Sequence, residues 1–187
     1  MKRFTRALGF AILVSLAVCA LPEIALPAPA ADTPVVSSTN LVVVYRFYNV
    51  KTGVHFYTAS EPEKQSIIAN LSATYNFEGV SYLINTLNGA NAIPLHRFYN
   101  FKKNVHFYTA SETEKDNVIA NLSWTYKYEG VAWKVSTVPT DSFPVYRFFN
   151  FKKGAHFYTA SDIEKDSVIA DLASTYRYEG IGYYIGK

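Results

Sequence analysis

His55-Phe56-Tyr57-Thr58-Ala59-Ser60 is the stretch whose reading decides the fold. It returns unchanged at 106–111 and 156–161, steps of 51 and 50 residues. The aromatic and β-branched run His-Phe-Tyr-Thr suits a half-buried strand. Ser60, Ser111 and Ser161 each stand three residues before a glutamate: Glu63, Glu114 and Glu164. That spacing predicts a capping box, in which the serine oxygen accepts from the third helical N–H and the carboxylate reaches back to the serine N–H. Pro62 falls in the first helical turn, where a missing N–H does no harm. Each copy therefore reads as a strand running into a helix.

Working outward, each HFYTAS is preceded by a strand over 43–49, 94–100 or 144–150. In the first copy Tyr45, Phe47 and Asn49 share one face, and Val44, Arg46 and Tyr48 the other. Lys51-Thr52-Gly53, Lys102-Lys103-Asn104 and Lys152-Lys153-Gly154 are tight turns, with glycine or asparagine where a left-handed backbone is needed. After HFYTAS come Ile67, Ile68 and Leu71, matched by Val118, Ile119 and Leu122 and by Val168, Ile169 and Leu172. The spacing predicts one apolar stripe per helix. A third strand over 75–84, 126–135 or 176–185 carries Glu-Gly at 78–79, 129–130 and 179–180.

The fold class is α+β: three ββαβ repeats, over 41–84, 93–135 and 143–185, packed into one compact pseudo-threefold, propeller-like domain spanning 41–187. A unit of about 40 residues with so few elements cannot bury its apolar face alone. An open solenoid would need polar outer faces on its end repeats, and the first and third copies are as apolar as the second.

Residues 1–30 read as a secretory signal peptide: Lys2, Arg3 and Arg6, an apolar segment over 7–21, and small residues at Ala28-Pro29-Ala30. Residues 31–40 read as a flexible lead. No later segment is long and apolar enough to span a bilayer. The expected location is secreted or extracellular; Leu16-Ala17-Val18-Cys19 also resembles a lipoprotein processing site, with Val18 a poor fit. Residues 1–30 hold three of the 18 Lys and Arg and one of the 15 Asp and Glu, so 15 cations face 14 anions in the rest. A net of +1 gives no support for a nucleic-acid partner. The single cysteine, Cys19, lies in the leader, so the remainder is disulfide-free and relies on its core. The 16% aromatic content supplies large apolar areas for it.

Four of the positions identical in all three copies form the candidate ligand-binding set: Arg46, Asn49, His55 and Tyr57; Arg97, Asn100, His106 and Tyr108; Arg147, Asn150, His156 and Tyr158. The strand arginine and the third-strand glutamate also read as a buried ion pair. Three histidines about an axis would resemble a zinc site, but no spacing places them there, so no metal and no cofactor is assigned. No nucleophile stands in a recognisable elbow. Glu63 is explained as a helix cap, and no catalytic residue is assigned. Aromatic rings beside Asn, Arg and Glu suit the C–H face and hydroxyl edge of a pyranose. Asn70-Leu71-Ser72 and Asn121-Leu122-Ser123 are glycosylation sequons in a eukaryotic host.

Tyr-Arg-Phe-Tyr-Asn, a short Lys/Gly turn, His-Phe-Tyr-Thr-x-Ser-x-x-Glu-Lys, then Tyr-x-(Phe/Tyr)-Glu-Gly-(Val/Ile)-x-(Tyr/Trp) resembles the YRFYN/HFYT repeat family, a repeat of unknown function (DUF5648). The resemblance covers nearly all of 43–185. It implies a secreted bacterial or fungal accessory or adhesion module of the kind found beside peptidases and wall-degrading domains. His96 for Tyr, Phe149 for Tyr and Ala155 for Val depart from the pattern, which implies that the three copies are not equivalent. The expected function is non-catalytic, multivalent binding of cell-wall or surface glycans. The alternatives are a structural or protein-interaction domain, including an inhibitor of a secreted hydrolase, and a hydrolase with one active copy.

Overall fold

Turn chemistry sets the first hairpin of each copy. The Asn49 Oδ1 accepts from the Lys51 and Thr52 N–H groups at 3.0 and 3.1 Å, and Gly53 follows at φ 70°. Asn100 and Asn150 do the same for their turns, which end on Asn104 at φ 55° and Gly154 at φ 62°. An asparagine oxygen bonding the backbone two and three residues on is a common way to close such a turn.

A computed structural model describes residues 41–85, 92–139 and 142–186. The expected leader over 1–30 and lead over 31–40 lie outside the described residues. The element order is strand, strand, helix, strand, written three times. The first copy is β1 (Leu41–Asn49), β2 (Val54–Thr58), α1 (Glu61–Asn70) and β3 (Tyr75–Asn85). The second is β4 (Ala92–Asn100), β5 (Val105–Thr109), α2 (Glu112–Asn121) and β6 (Tyr126–Ser136). The third is β7 (Ser142–Asn150), β8 (Ala155–Thr159), α3 (Asp162–Asp171) and β9 (Tyr176–Gly186). The protein is therefore mixed, with three helices among mostly antiparallel strands.

The first strand of each copy starts two residues earlier than the sequence reading had it. Pro94 and Pro144 lie inside these strands without harm. Pro94 pairs only with Lys134, because pairing to β5 begins at His96. A proline is tolerated where one side of the strand has no partner.

Pairing gives one sheet of order β2-β1-β3 and one of order β5-β4-β6-β9-β7-β8. The larger sheet is joined in its middle by one residue pair, Ser136 with Tyr184. Among the described residues this pairing closes no barrel and no propeller, so the expected threefold shape is not carried by backbone ladders.

Side chains join the copies instead. One core cluster takes four buried residues from each: Val44, Tyr57, Tyr82 and Ile84; Leu95, Tyr108, Trp133 and Val135; Val145, Tyr158, Tyr183 and Ile185. Tyr57, Tyr108 and Tyr158 form a cycle within it. The Tyr57 hydroxyl donates to the Tyr158 carbonyl at 2.7 Å, Tyr158 to Tyr108 at 2.6 Å, and Tyr108 to Tyr57 at 2.6 Å. Each hydroxyl also accepts, at 3.2 Å, from the N–H of the residue to which it donates. β2, β5 and β8 are hairpin edges, and the phenols satisfy the edge N–H and C=O that no strand covers.

A second layer lies beneath each helix: Phe47, Phe56 and Ile67; Phe98, Phe107 and Val118; Tyr146, Phe148, Phe157 and Val168. Here the expected apolar stripe is corrected. Ile67, Val118 and Val168 are buried, but Ile68, Ile119 and Ile169 are 40–44% exposed. The phenyl rings fill the space under each helix, so one branched side chain per helix reaches the core.

Candidate functional site

The capping box forms by halves, and the missing half builds the site. Ser60, Ser111 and Ser161 Oγ accept from the N–H of Glu63, Glu114 and Glu164 at 3.1–3.3 Å, as the spacing predicts. The serine N–H, however, donates to the hydroxyl of Thr58, Thr109 or Thr159. This frees each carboxylate for another copy. Glu63 meets Arg97 at 2.9 Å, Glu114 meets Arg147 at 2.8 Å, and Glu164 meets Arg46 at 2.9 Å. Glu63, read as a cap, is thus a partner between copies.

The third-strand glutamate arrives from the other side. Arg97 pairs with Gly130 and Phe98 with Tyr128, so Glu129 is the extra residue of a β-bulge. Gly130 beside it has φ 98°, a backbone that suits glycine. The bulge turns Glu129 to the arginine Nε at 2.9 Å. Glu78 with Arg46 and Glu179 with Arg147 repeat this at 2.8 and 3.0 Å. His55, His106 and His156 Nε2 stand 3.3 Å from the same carboxylates. Each imidazole packs on a phenyl of another copy: His55 on Phe157, His106 on Phe56, His156 on Phe107. Each seam is therefore one guanidinium between two carboxylates with a histidine behind.

These groups perturb one another. Burial pushes the Glu78 carboxyl up, and its hydrogen bond to His55 and the Arg46 charge more than offset this, leaving it lowered. Glu129 is lowered first by its hydrogen bond with His106. Glu179 is pushed up by burial, and a hydrogen bond from Arg177 and the Arg147 charge more than offset it. His156 is depressed to about 4 by burial and by the Arg147 charge. It is a neutral imidazole at pH 7.

Among the described residues, clefts open at the Arg97 and Arg147 seams. Thr58, Ala59, Ser60 and Glu63 face Arg97, Glu129, Val131, Ala132 and Trp133 across about 240 Å³. Thr109, Ser111, Thr113, Glu114 and Asn117 face Arg147, Glu179, Ile181 and Gly182 across about 560 Å³. Ligand sites are commonly about 300–1,000 Å³. Each cleft has hydroxyls on one wall, an aliphatic opposite wall and an ionic floor. Val131 and Ile181 are 55% and 46% exposed.

The twelve residues read from sequence thus divide. Arg46, Arg97 and Arg147 lie at the seams, with His55, His106 and His156 behind the carboxylates they bond. Asn49, Asn100 and Asn150 are buried and hold the hairpin turns. Tyr57, Tyr108 and Tyr158 are at most 2% exposed, with their hydroxyls engaged in the core. His96 takes the place of Tyr45 and Tyr146 and makes the same kind of contact: Tyr45 with Glu61, His96 with Glu112, Tyr146 with Asp162. Trp133 differs more. Tyr82 and Tyr183, at the matching positions, share a 2.6 Å hydrogen bond, while the buried Trp133 Nε1 has no acceptor among the described residues. No three His, Cys, Asp or Glu side chains among the described residues are placed to hold a metal.

A family model described as Domain of unknown function (DUF5648) matches residues 29–136 and 122–187. The chain belongs to the DUF5648 family. No curated protein and no solved structure matches it. The DUF5648 match spans all three copies, so the Arg–Glu–His seams and the tyrosine cycle both lie within it.

Proposed function

We propose that the chain is a secreted, non-catalytic module that binds a neutral glycan polymer through the clefts between its repeats. In this reading 41–187 is one domain of three ββαβ repeats about a pseudo-threefold axis. The cyclic tyrosine contacts and the shared core support that arrangement. The observation that carries the function is the repeated cleft: hydroxyl rim, aliphatic wall, and a guanidinium held between two carboxylates.

Such a floor presents fixed donors and acceptors to sugar hydroxyls. Its arginine is already matched by carboxylates, so it offers little net positive charge to a uronate or phosphate. The same pairing argues against catalysis. A general acid or base works best with a pKa near the operating pH, whereas these glutamates are lowered and His156 is depressed to about 4. Several weak clefts on one body gain avidity on a repetitive polymer.

The test is retention of the full chain on insoluble neutral wall polysaccharides and on a glycan array. Val131→Arg with Ile181→Arg fills both clefts from exposed positions. We expect loss of retention at an unchanged melting temperature. Retention unaffected by the pair, or absent on every neutral glycan tried, refutes the proposal.

A further inference from the structure

The three hairpin turns meet at one end of the molecule, away from the clefts. Val54, Val105 and Ala155, each just after its turn, form one buried cluster. The Lys103 Nζ donates to the Lys153 carbonyl at 3.1 Å. It also fills the space a Cβ on Gly154 would need, and the Lys153 Nζ lies 3.2 Å from where a Cβ on Gly53 would sit.

This convergence gathers Lys51, Lys102, Lys103, Lys152 and Lys153, all exposed. Among the described residues none of the five has a carboxylate partner, whereas Lys64, Lys115 and Lys165 near the helix starts each pair with one. Five like charges in one place repel. Lys103 and Lys153 pack on the neighbouring turns, but the turns otherwise need only the asparagine and the left-handed residue, which does not account for Lys51, Lys102 and Lys152.

Large apolar groups stand beside them. Val50, Phe101 and Phe151, each next to a turn lysine, are 46–50% exposed. Trp124 is 64% exposed. Its indole N–H donates to the Asn121 carbonyl at 3.2 Å, and the Lys102 Nζ sits 3.9 Å from the ring centre. The matching positions in the other copies are Ala73 and Ser174, so the fold does not require this ring.

We propose that the hairpin end is a docking surface for an anionic lipid bilayer. A polyanionic polymer would answer the lysines and leave Phe101, Phe151 and Trp124 in water. A bilayer takes both: lipid charges meet the lysines, and the aromatic rings enter the boundary between headgroups and chains. Docking is peripheral, and no helix among the described residues is long and apolar enough to cross a membrane. β2 and β5 run from these turns to Thr58 and Thr109 at the clefts. A docked molecule therefore keeps its clefts clear of the lipid.

Tryptophan emission tests this directly, because the other tryptophan, Trp133, is buried and residues 1–40 contain none. The full chain is titrated at low salt with vesicles of phosphatidylglycerol and phosphatidylcholine, and with phosphatidylcholine alone. We expect a blue shift with the anionic vesicles only, absent in Trp124→Ala. Each lysine near an anionic surface is worth roughly a fivefold change in partition. Lys51→Glu with Lys102→Glu and Lys152→Glu, checked for folding by circular dichroism, should weaken binding by at least about a hundredfold. No blue shift with anionic vesicles overturns the proposal, as does unchanged partition of the triple variant. Retention on heparin without a blue shift also overturns it, assigning the lysines to a polymer.

Discussion

The tyrosine cycle and the arginine seams both tie every copy to the others, and they do so by opposite physics. Tyr57, Tyr108 and Tyr158 are dry and neutral, and each hydroxyl both donates and accepts. Arg46, Arg97 and Arg147 are 20–23% exposed and charged, between carboxylates from different copies. The difference teaches that recurrence alone does not mark a binding residue. Where the recurring group is sealed and satisfied, it builds the body. Where it stays wet beside a cleft, it has capacity for a ligand.

Breaking the dry side should do the most damage. Tyr108→Phe removes one hydroxyl and strands two buried groups, the Tyr57 N–H and carbonyl. Each stranded group costs about 1–3 kcal/mol, so we expect a loss of roughly 2–6 kcal/mol. At about 2–4 °C per kcal/mol for a domain of this size, calorimetry should show a fall on the order of 10 °C. A fall no larger than that of an exposed Tyr178→Phe control would mean the cycle does not hold the copies together.

Breaking the wet side should cost less. Arg97→Met together with Glu129→Gln removes the charge pair but leaves Glu63 without its cation. Solvent screens the remainder, and the expected loss is about 1–3 kcal/mol in chemical denaturation. An unchanged midpoint would show the seam to be stability-neutral and so reserved for binding.

Acid should sharpen the comparison further, because the seams carry carboxylates and a histidine that titrate in acid and the tyrosine cycle carries none. Glu78, Glu129 and Glu179 have lowered folded pKa values. Their contribution is present above the unfolded value near 4.5 and is lost as pH falls through the lower folded values. His156, folded at about 4 against 6.5 unfolded, is depressed as well. Its neutral form favours the fold above 6.5, and that contribution is lost between about 6.5 and 4. The melting temperature should thus decline by several degrees from pH 7 to 4 and faster below. His156→Gln should flatten the first part alone. A flat profile from pH 7 to 4 in the parent chain would remove the histidine from this account.

Much of the local structure was legible in the chain. Asn49-x-Lys51-Thr52-Gly53 dictates a turn, and Ser60 three residues before Glu63 dictates a helix start. Two readings failed for the same reason. Glu63 already had a local explanation as a cap, and Ile68 fitted a helical stripe. In the structure the Thr58 hydroxyl takes the N–H meant for Glu63, and phenyl rings of β1 and β2 take the space meant for Ile68. Neither competitor is visible in a spacing rule. Of the residues expected to line clefts between the copies, only the arginines do so, since each cleft joins residues about 30 to 75 positions apart along the chain. A hint was present: Glu63 and Glu78 recur in every copy as faithfully as the arginines.

By itself the sequence determined three repeats, their elements and their turns, because those depend on neighbours a few residues apart. Only the tertiary structure decided which recurring side chains are sealed and which face a cleft. Burial is set by what other copies bring to the same point, and periodicity carries no record of that meeting.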